Sequence, residues 1–297
     1  MGFLKKPILI IGASGRTGRR VVDRLIKRRM PVRCFVRSTQ AAHELLAGGV
    51  AETVIGDLLN SDDLNKAIHG TDRILHICPP MHPREDEIAS HIIRLSEVNN
   101  VKRIVLYSVL HPEIDVPHHR RKLAAERELV ASKLSYTILQ PCRYMQHLSA
   151  IWADVVGGHI HEMPFDINAR FSLVHLGDVA EAASIVLSEE GHEFATYQLC
   201  GPTPVSQSDC ARLLSNLLGA KIEARRKPTT KLLEEAKASG ISKDRLECMV
   251  RMNEHYDAHG LVGNSNVLRW LLGRDPTSFG SFVLEELIEH TSMTHTV

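Results

Sequence analysis

A short apolar run, Pro7 to Gly12 (PILIIG), passes straight into Gly12-Ala13-Ser14-Gly15-Arg16-Thr17-Gly18. An amphipathic stretch from Arg16 to Arg29 follows, with Val21, Val22, Leu25 and Ile26 on one face. Buried strand, glycine turn and helix in this order constrain the chain more than any other feature. Gly12 permits a tight turn, Gly15 admits a pyrophosphate against the backbone, and Gly18 lets the helix pack close to the sheet. Ser14, Arg16 and Thr17 complete the turn at the helix N-terminus, where free N–H groups and a positive dipole end favour phosphate. The turn therefore predicts a dinucleotide site, against the alternative of a merely structural glycine turn.

The alternation continues. Strands are expected at Val32–Val36, Thr53–Ile55, Ile74–Ile77, Arg103–Tyr107 and Tyr136–Leu139. Helices are expected near Gln40–Leu46, Asp62–Ile68, Glu85–Glu97 and Lys122–Ser132. Such spacing implies right-handed βαβ units and a Rossmann-type α/β fold, with a doubly wound parallel sheet. The pattern loosens after Pro141. Gly157 to Phe171 reads as a loop, Asp178 as the cap of a helix through Leu187, Thr196–Leu199 as a strand and Ser206–Leu218 as a helix. From Lys231 onward the chain reads as helical. The expected organisation is a dinucleotide-binding domain over 1–156, its sheet completed by parts of 170–202, and a smaller substrate-side lobe over 157–297.

With 297 residues the chain sits near the upper size for one core. Its 36 basic and 35 acidic residues nearly cancel, which argues against a nucleic-acid or membrane-surface binder. The basic run Lys27-Arg28-Arg29 reads as a solvated helix end. Six scattered cysteines without a CxxC predict reduced thiols and a cytoplasmic protein. Met1 to Lys6 shows no secretory leader, no segment is long enough to span a bilayer, and Met1-Gly2 alone is weak evidence for myristoylation. His255 and His259 have metal-binding spacing, but neither a third ligand nor the distant His159 and His161 joins them, so no metal is expected.

The second strand ends Phe35-Val36-Arg37-Ser38, without the acid that bonds a ribose 2′-OH. Arg37, with Arg16 as a second cation, instead suits a 2′-phosphate, so NADP(H) is expected over NAD(H). The alternative is that both arginines are solvated. Asp57, after Gly56 and beside Leu58, suits the adenine amino group or a plain turn role. Cys78-Pro79-Pro80 should pass the ribose, while Pro141 and Cys142 should flank the nicotinamide.

The glycine turn, the strand end FVR, the GD pair, the stretch Tyr107–Gln146 and Val174–Ala180 together resemble the NmrA-like, atypical short-chain dehydrogenase/reductase family. The resemblance spans most of the first 200 residues. It implies either NADP(H)-dependent reductases or cofactor-binding regulators that catalyse nothing. Ordinary members use Tyr-x-x-x-Lys, in which lysine holds the ribose and tyrosine moves a proton. Here Lys122 fits the lysine slot, but His118 stands where the tyrosine would. Either His118 serves as acid, or Lys122 only binds cofactor, or His118 to Arg121 form an exposed basic helix start. Ser108 is a candidate for orienting substrate, or a strand-end cap. Tyr144 is a candidate phenol or aromatic wall, or a core residue.

The leading expectation is an NADP(H)-dependent oxidoreductase passing hydride to a quinone, carbonyl or conjugated double bond of a small organic substrate. The alternative is an NADP(H)-binding redox sensor acting through a protein partner. An epimerase or dehydratase is disfavoured without the tyrosine base. No nucleic-acid or membrane partner is expected, and the chain reads as a monomer or homodimer.

Overall fold

The structure is a computed structural model that describes residues 6–289. The Met1-Gly2 pair lies outside the described residues. In chain order the first elements are β1 (Ile8–Ile11), α1 (Arg16–Lys27), β2 (Val32–Val36), α2 (Thr39–Ala47), β3 (Glu52–Ile55), α3 (Ser61–Ile68), β4 (Arg73–His76), α4 (Glu85–Val98), β5 (Arg103–Tyr107), α5 (Pro117–Ala131) and β6 (Ser135–Pro141). Then come β7 (Arg143–Tyr144), a 3₁₀ turn (Met145–Ile151), α6 (Trp152–Gly158), β8 (Ile160–Met163), β9 (Arg170–Phe171), β10 (Leu173–Val174), α7 (Leu176–Ser188), β11 (Ala195–Leu199) and β12 (Val205–Ser206). The chain continues with α8 (Gln207–Leu218), β13 (Glu223–Arg226), α9 (Thr229–Ala238), α10 (Lys243–His259), α11 (Asn266–Leu272), α12 (Phe279–Phe282) and a π-helical turn (Val283–Ile288).

Two compact units emerge, Met1–Pro141 with Val179–Tyr197, and Cys142–Asp178 with Gln198–Val297. The chain leaves the first unit at Pro141, upstream of the boundary expected at residue 156. The first unit is built on a seven-stranded sheet ordered β11-β6-β5-β4-β1-β2-β3. Strands β1 to β6 pair in parallel. The order reverses between β1 and β4, which is the switch point of a doubly wound Rossmann-type α/β fold. β1 is wholly buried, as a central parallel strand covered on both faces must be. At the opposite, N-terminal edge, buried Arg73 and Arg103 donate to the Leu187 and Val186 carbonyls at the end of α7 and meet Glu190. Guanidinium groups there satisfy carbonyls that a helix end leaves unpaired.

Within the second unit, β8 pairs in parallel with β13, and β9 in antiparallel with β12. The loop expected over Gly157–Phe171 therefore contains two strands. β8 (IHEM) has no clean alternation, and its partner β13 (EARR) is mostly exposed, so only pairing marks them as strands. Asp178 also corrects its expected role. The helix begins at Leu176, whose N–H donates to Gln146 Oε1 (3.0 Å), so the Gln146 side chain serves the first turn. Asp178 is 1% exposed. Its carboxylate accepts from the Thr277 N–H (2.6 Å), the Thr277 hydroxyl (3.1 Å) and Arg274 (2.8 Å), tying down the loop before α12. Asp178→Ala removes this acceptor and leaves three donors without it. It is expected to cost about 2–4 kcal/mol and lower the thermal midpoint by several degrees, read by calorimetry.

Candidate functional site

The register of β1 sets Ile11 beside Phe35 of β2 and His76 of β4, and Phe35 lies beside Val54 of β3. The segments that follow these strands, Gly12–Gly18, Arg37–Ser38, Gly56–Leu58 and Ile77–Pro80, therefore leave the sheet at one edge. Gly12 adopts φ +88°, and a Cβ there would sit 2.5 Å from the Ile77 carbonyl oxygen. A Cβ on Gly18 would strike the Gly12 carbonyl oxygen and Ala13 Cα. These two glycines close α1 onto the strand end. Gly15 is different: a Cβ would press only on the Gly12 oxygen (3.3 Å), so what it keeps open is the exposed face of the turn. Ser14, Gly15 and Arg16 are exposed and Thr17 is buried. Gly15 is the N-cap residue and no side chain caps α1. Its first-turn N–H groups are thus not met by a capping side chain, which suits an anion.

The charges around the turn sort into two kinds. Arg19 is held by Glu44 (2.6 Å) and by the Ser14 carbonyl (3.1 Å). Arg16 and Arg37 are exposed and make no hydrogen bond or ion pair with the described residues. Asp57 Oδ1 accepts the Leu59 N–H (2.8 Å), and the Asp57 N–H donates to Asp63 Oδ2 (3.0 Å). That is an Asx turn, and it leaves the second carboxylate oxygen of Asp57 for a ligand. Gly56 is needed because a Cβ there would approach Asp63 Cβ at 2.6 Å. Leu58 packs on the core of the first unit, while Cys78 is buried and Pro79 half-buried behind β4.

Helix α5 begins at Pro117, five positions before the expected start at Lys122, with proline at its first turn. His118, Lys122 and Glu126 consequently share one face at i, i+4, i+8. Lys122 Nζ pairs with Glu85 Oε1 (2.5 Å) and donates to the Tyr107 carbonyl (2.8 Å). Glu85 opens α4 and is 2% exposed, and its Oε2 is buried without a hydrogen bond. Glu126 accepts two bonds from Gln140 Nε2 of β6 (3.0 and 3.1 Å), and burial raises its pKa. Ser108 is buried beside Glu126, its N–H donating to the Leu139 carbonyl (2.8 Å), with no ordinary hydrogen bond to its hydroxyl.

Two imidazoles join this cluster. His76 is fully enclosed, with neither ring nitrogen hydrogen-bonded, and burial, reinforced by Lys122, pushes its pKa down to about 3. His118 is also pushed to about 3, by burial first and then by the charges of its neighbours. The exposed basic helix start is thus overturned, since His118 and His119 are both buried and stack edge to face at 4.4 Å. The acid role expected of His118 stands against this shift, which favours the neutral ring. Glu85, His76, Glu126 and Gln140 escaped sequence reasoning. Only Glu126 left a signal, the His118-Lys122-Glu126 spacing.

In the second unit, Cys142 is buried and its thiol is pushed well above the ordinary range by burial and by the Cys200 thiol. Pro141 ends β6, its carbonyl accepting the Leu110 N–H (2.9 Å). Tyr144 is half-buried in β7, 5.8 Å from the His147 ring. The His255 and His259 rings lie 4.8 Å apart, and among the described residues no three His, Cys, Asp or Glu converge.

Residues 12–148 match the family described as NAD(P)H-binding. The match covers the glycine turn and strands β2 to β6, so this part of the chain carries an NAD(P)H-binding domain. An NAD(P)H azoreductase of Xenophilus azovorans is 27% identical over 283 residues, 93% of this chain and 96% of that protein. The structure of an NADPH-dependent quinone oxidoreductase of Escherichia coli with NADPH superposes with TM-score 0.83 at 22% identity, covering 97% of this chain and 100% of the other. Triphenylmethane reductase of Citrobacter sp. with NADP(H) gives TM-score 0.83 at 22% identity, over 95% and 100%. Among the described residues no helix is long and apolar enough to cross a membrane.

Two outcomes test this cluster. In an unfolded chain both imidazoles bind protons near pH 6.5, but in the folded protein only near pH 3. Between those values the unfolded state holds more protons, so stability is full above about pH 6.5 and falls with acid. Each imidazole adds a slope of about 1.4 kcal/mol per pH unit, and His76→Leu should remove one such increment from urea-derived stabilities between pH 6 and 4.5. Separately, Lys122→Met leaves Glu85 charged and alone, an expected cost of about 3 kcal/mol. Adding Glu85→Gln should recover more than half of it in thermal melts.

Proposed function

We propose that the chain is an NADPH-dependent reductase that reduces small conjugated acceptors of the quinone or azo kind. The observation that carries the cofactor choice is the pair Arg16 and Arg37, partnerless among the described residues, beside a turn that Cβ atoms would block. Two unneutralised guanidiniums, Arg16 at the start of α1 and Arg37 just after β2, suit a 2′-phosphate, which NADPH has and NADH lacks. The first-turn N–H groups of α1, with Ser14 and Thr17, hold the diphosphate. The free oxygen of Asp57 accepts the adenine amino group. Leu58, Cys78 and Pro79 line the path of the ribose, and Pro141 and Cys142 flank the nicotinamide.

When bound, the nicotinamide supplies a hydride from its C4. Lys122 binds the ribose hydroxyls by sharing its donors between them and Glu85, and Ser108 orients the acceptor. Neither neutral His118 nor a tyrosine stands ready as an acid at this helix. That favours acceptors whose hydride adduct is a stabilised anion that takes its proton from water, as a hydroquinone anion does. The names of the azoreductase and quinone oxidoreductase relatives point to the same acceptors.

The missing tyrosine also favours a second reading, an NADP(H) sensor that acts through a protein partner. Nicotinamide oxidation with a panel of naphthoquinones and azo dyes separates the two. Turnover is expected with several members. Tight NADPH binding with no turnover on any member transfers the case to the sensor. Arg37→Ala should raise the KM for NADPH about tenfold or more while leaving that for NADH nearly unchanged, since only the former loses a charge-assisted contact.

A further inference from the structure

The second unit holds a cavity of about 40 Å³, lined by Arg143, His161, Met163, Phe165, Phe171 and Gln207 among others. At roughly 10–15 Å³ per water-sized group, it has room for about three, the heavy-atom count of a carboxylate. Arg143 is the unusual member. Its guanidinium carbon lies 5.0 Å from the Phe165 ring centre and 5.6 Å from that of Phe171. Its one hydrogen bond is to the weak acceptor Met163 Sδ (3.5 Å). Among the described residues no carboxylate pairs with it. Arg73 and Arg103, the buried arginines of the first unit, both meet Glu190 and main-chain carbonyls. A guanidinium has five N–H donors in a planar fork, and those of half-buried Arg143 meet no oxygen acceptor among the described residues.

Other polar residues line the cavity, among them Gln207, whose Oε1 is buried without a hydrogen-bond partner. Burial and the Arg143 charge push His161 to about 4, so at neutral pH it is neutral and has one N–H to donate. Gln207 is held in place, its amide donating to the backbone carbonyls of His161 and Arg225. Cys210 and Tyr256, which face Arg143, have their pKa values raised by burial, the thiol to about 12, so neither supplies a counter-charge. The carboxylate of Asp166, also at the cavity, is exposed and accepts its own loop's Asn168 N–H (2.7 Å). The phenylalanine faces, with Leu148 and Phe279, offer flat apolar surface beside the charge.

We propose that this cavity binds the carboxylate of a small aromatic monocarboxylate, forked by Arg143, with the ring standing at the cavity mouth. A bidentate guanidinium–carboxylate pair answers the unused donors. The site lies wholly within the second unit and does not rest on the reductase reading.

Titration calorimetry of the full chain without cofactor, using benzoate, benzyl alcohol and inorganic phosphate, tests it. Benzoate is expected to bind at least tenfold more tightly than benzyl alcohol or phosphate. Arg143→Met should weaken benzoate at least tenfold, and Arg143→Lys should fall between. Equal binding of benzoate and benzyl alcohol, a preference for phosphate, or unchanged benzoate binding by Arg143→Met overturns the proposal. Should the methionine variant fail to fold, the wild-type protein decides: the iodine of bound 4-iodobenzoate, located by anomalous diffraction, must lie at the mouth of this cavity with the carboxylate on Arg143. A different position overturns the site. Because no cofactor or turnover enters the titration, its failure leaves the reductase reading standing, and the reverse also holds.

Discussion

The contact between Gly18 and the Gly12 carbonyl is the constraint on which the ligand-facing edge of the first unit depends. No side chain fits between them, so α1 is forced close against the end of β1. The first turn of α1 carries no side-chain cap, so its N–H groups remain to meet an anion. Gly12 in turn approaches the Ile77 carbonyl closely enough to fix the path beyond β4. Arg37 and Asp57 reach the same edge only because β2 and β3 are held in register beside β1.

A second constraint is electrostatic. Lys122 and Glu85 form an ion pair in which both side chains are largely buried, at 14% and 3% exposure. Such a pair adds little net stability over apolar packing, but losing one member is costly. Its value lies in placement. It fixes an ammonium group at the N-terminal part of α5 while leaving one Glu85 oxygen unsatisfied. The imidazoles of His76 and His118 near this charge are kept neutral by burial. The cluster has one strong donor and no conventional proton source among its histidines, which narrows the chemistry it can support.

Much of this was legible beforehand. Continuous apolar runs such as ILII and the strand–glycine–helix order are local signals, so β1, α1 and the parallel alternation through β6 could be read directly. Lys122 was found by its place in the lysine slot of the Tyr-x-x-x-Lys pattern that the family resemblance implies. Glu85 and His76 were not, because an acidic residue opening a helix and a histidine ending a strand look like ordinary surface residues until packing buries them. The strands β8 and β13 were missed for a related reason. Their character lies in pairing across more than fifty residues, which leaves no period in either segment.

By itself the sequence determined the fold class and the nucleotide-binding turn, because both depend on short-range rules: side-chain period, glycine's freedom of backbone conformation and the absence of an acid after β2. Only the tertiary structure decided which titratable groups are charged. Burial is a long-range property, and it encloses the His118 ring and lowers its pKa, which nothing local in the sequence signals. It likewise placed Arg143 among phenylalanines with no carboxylate to meet it. The glycine turn thus says what kind of ligand the chain holds, while the surroundings of Lys122 set the terms for what is done with it.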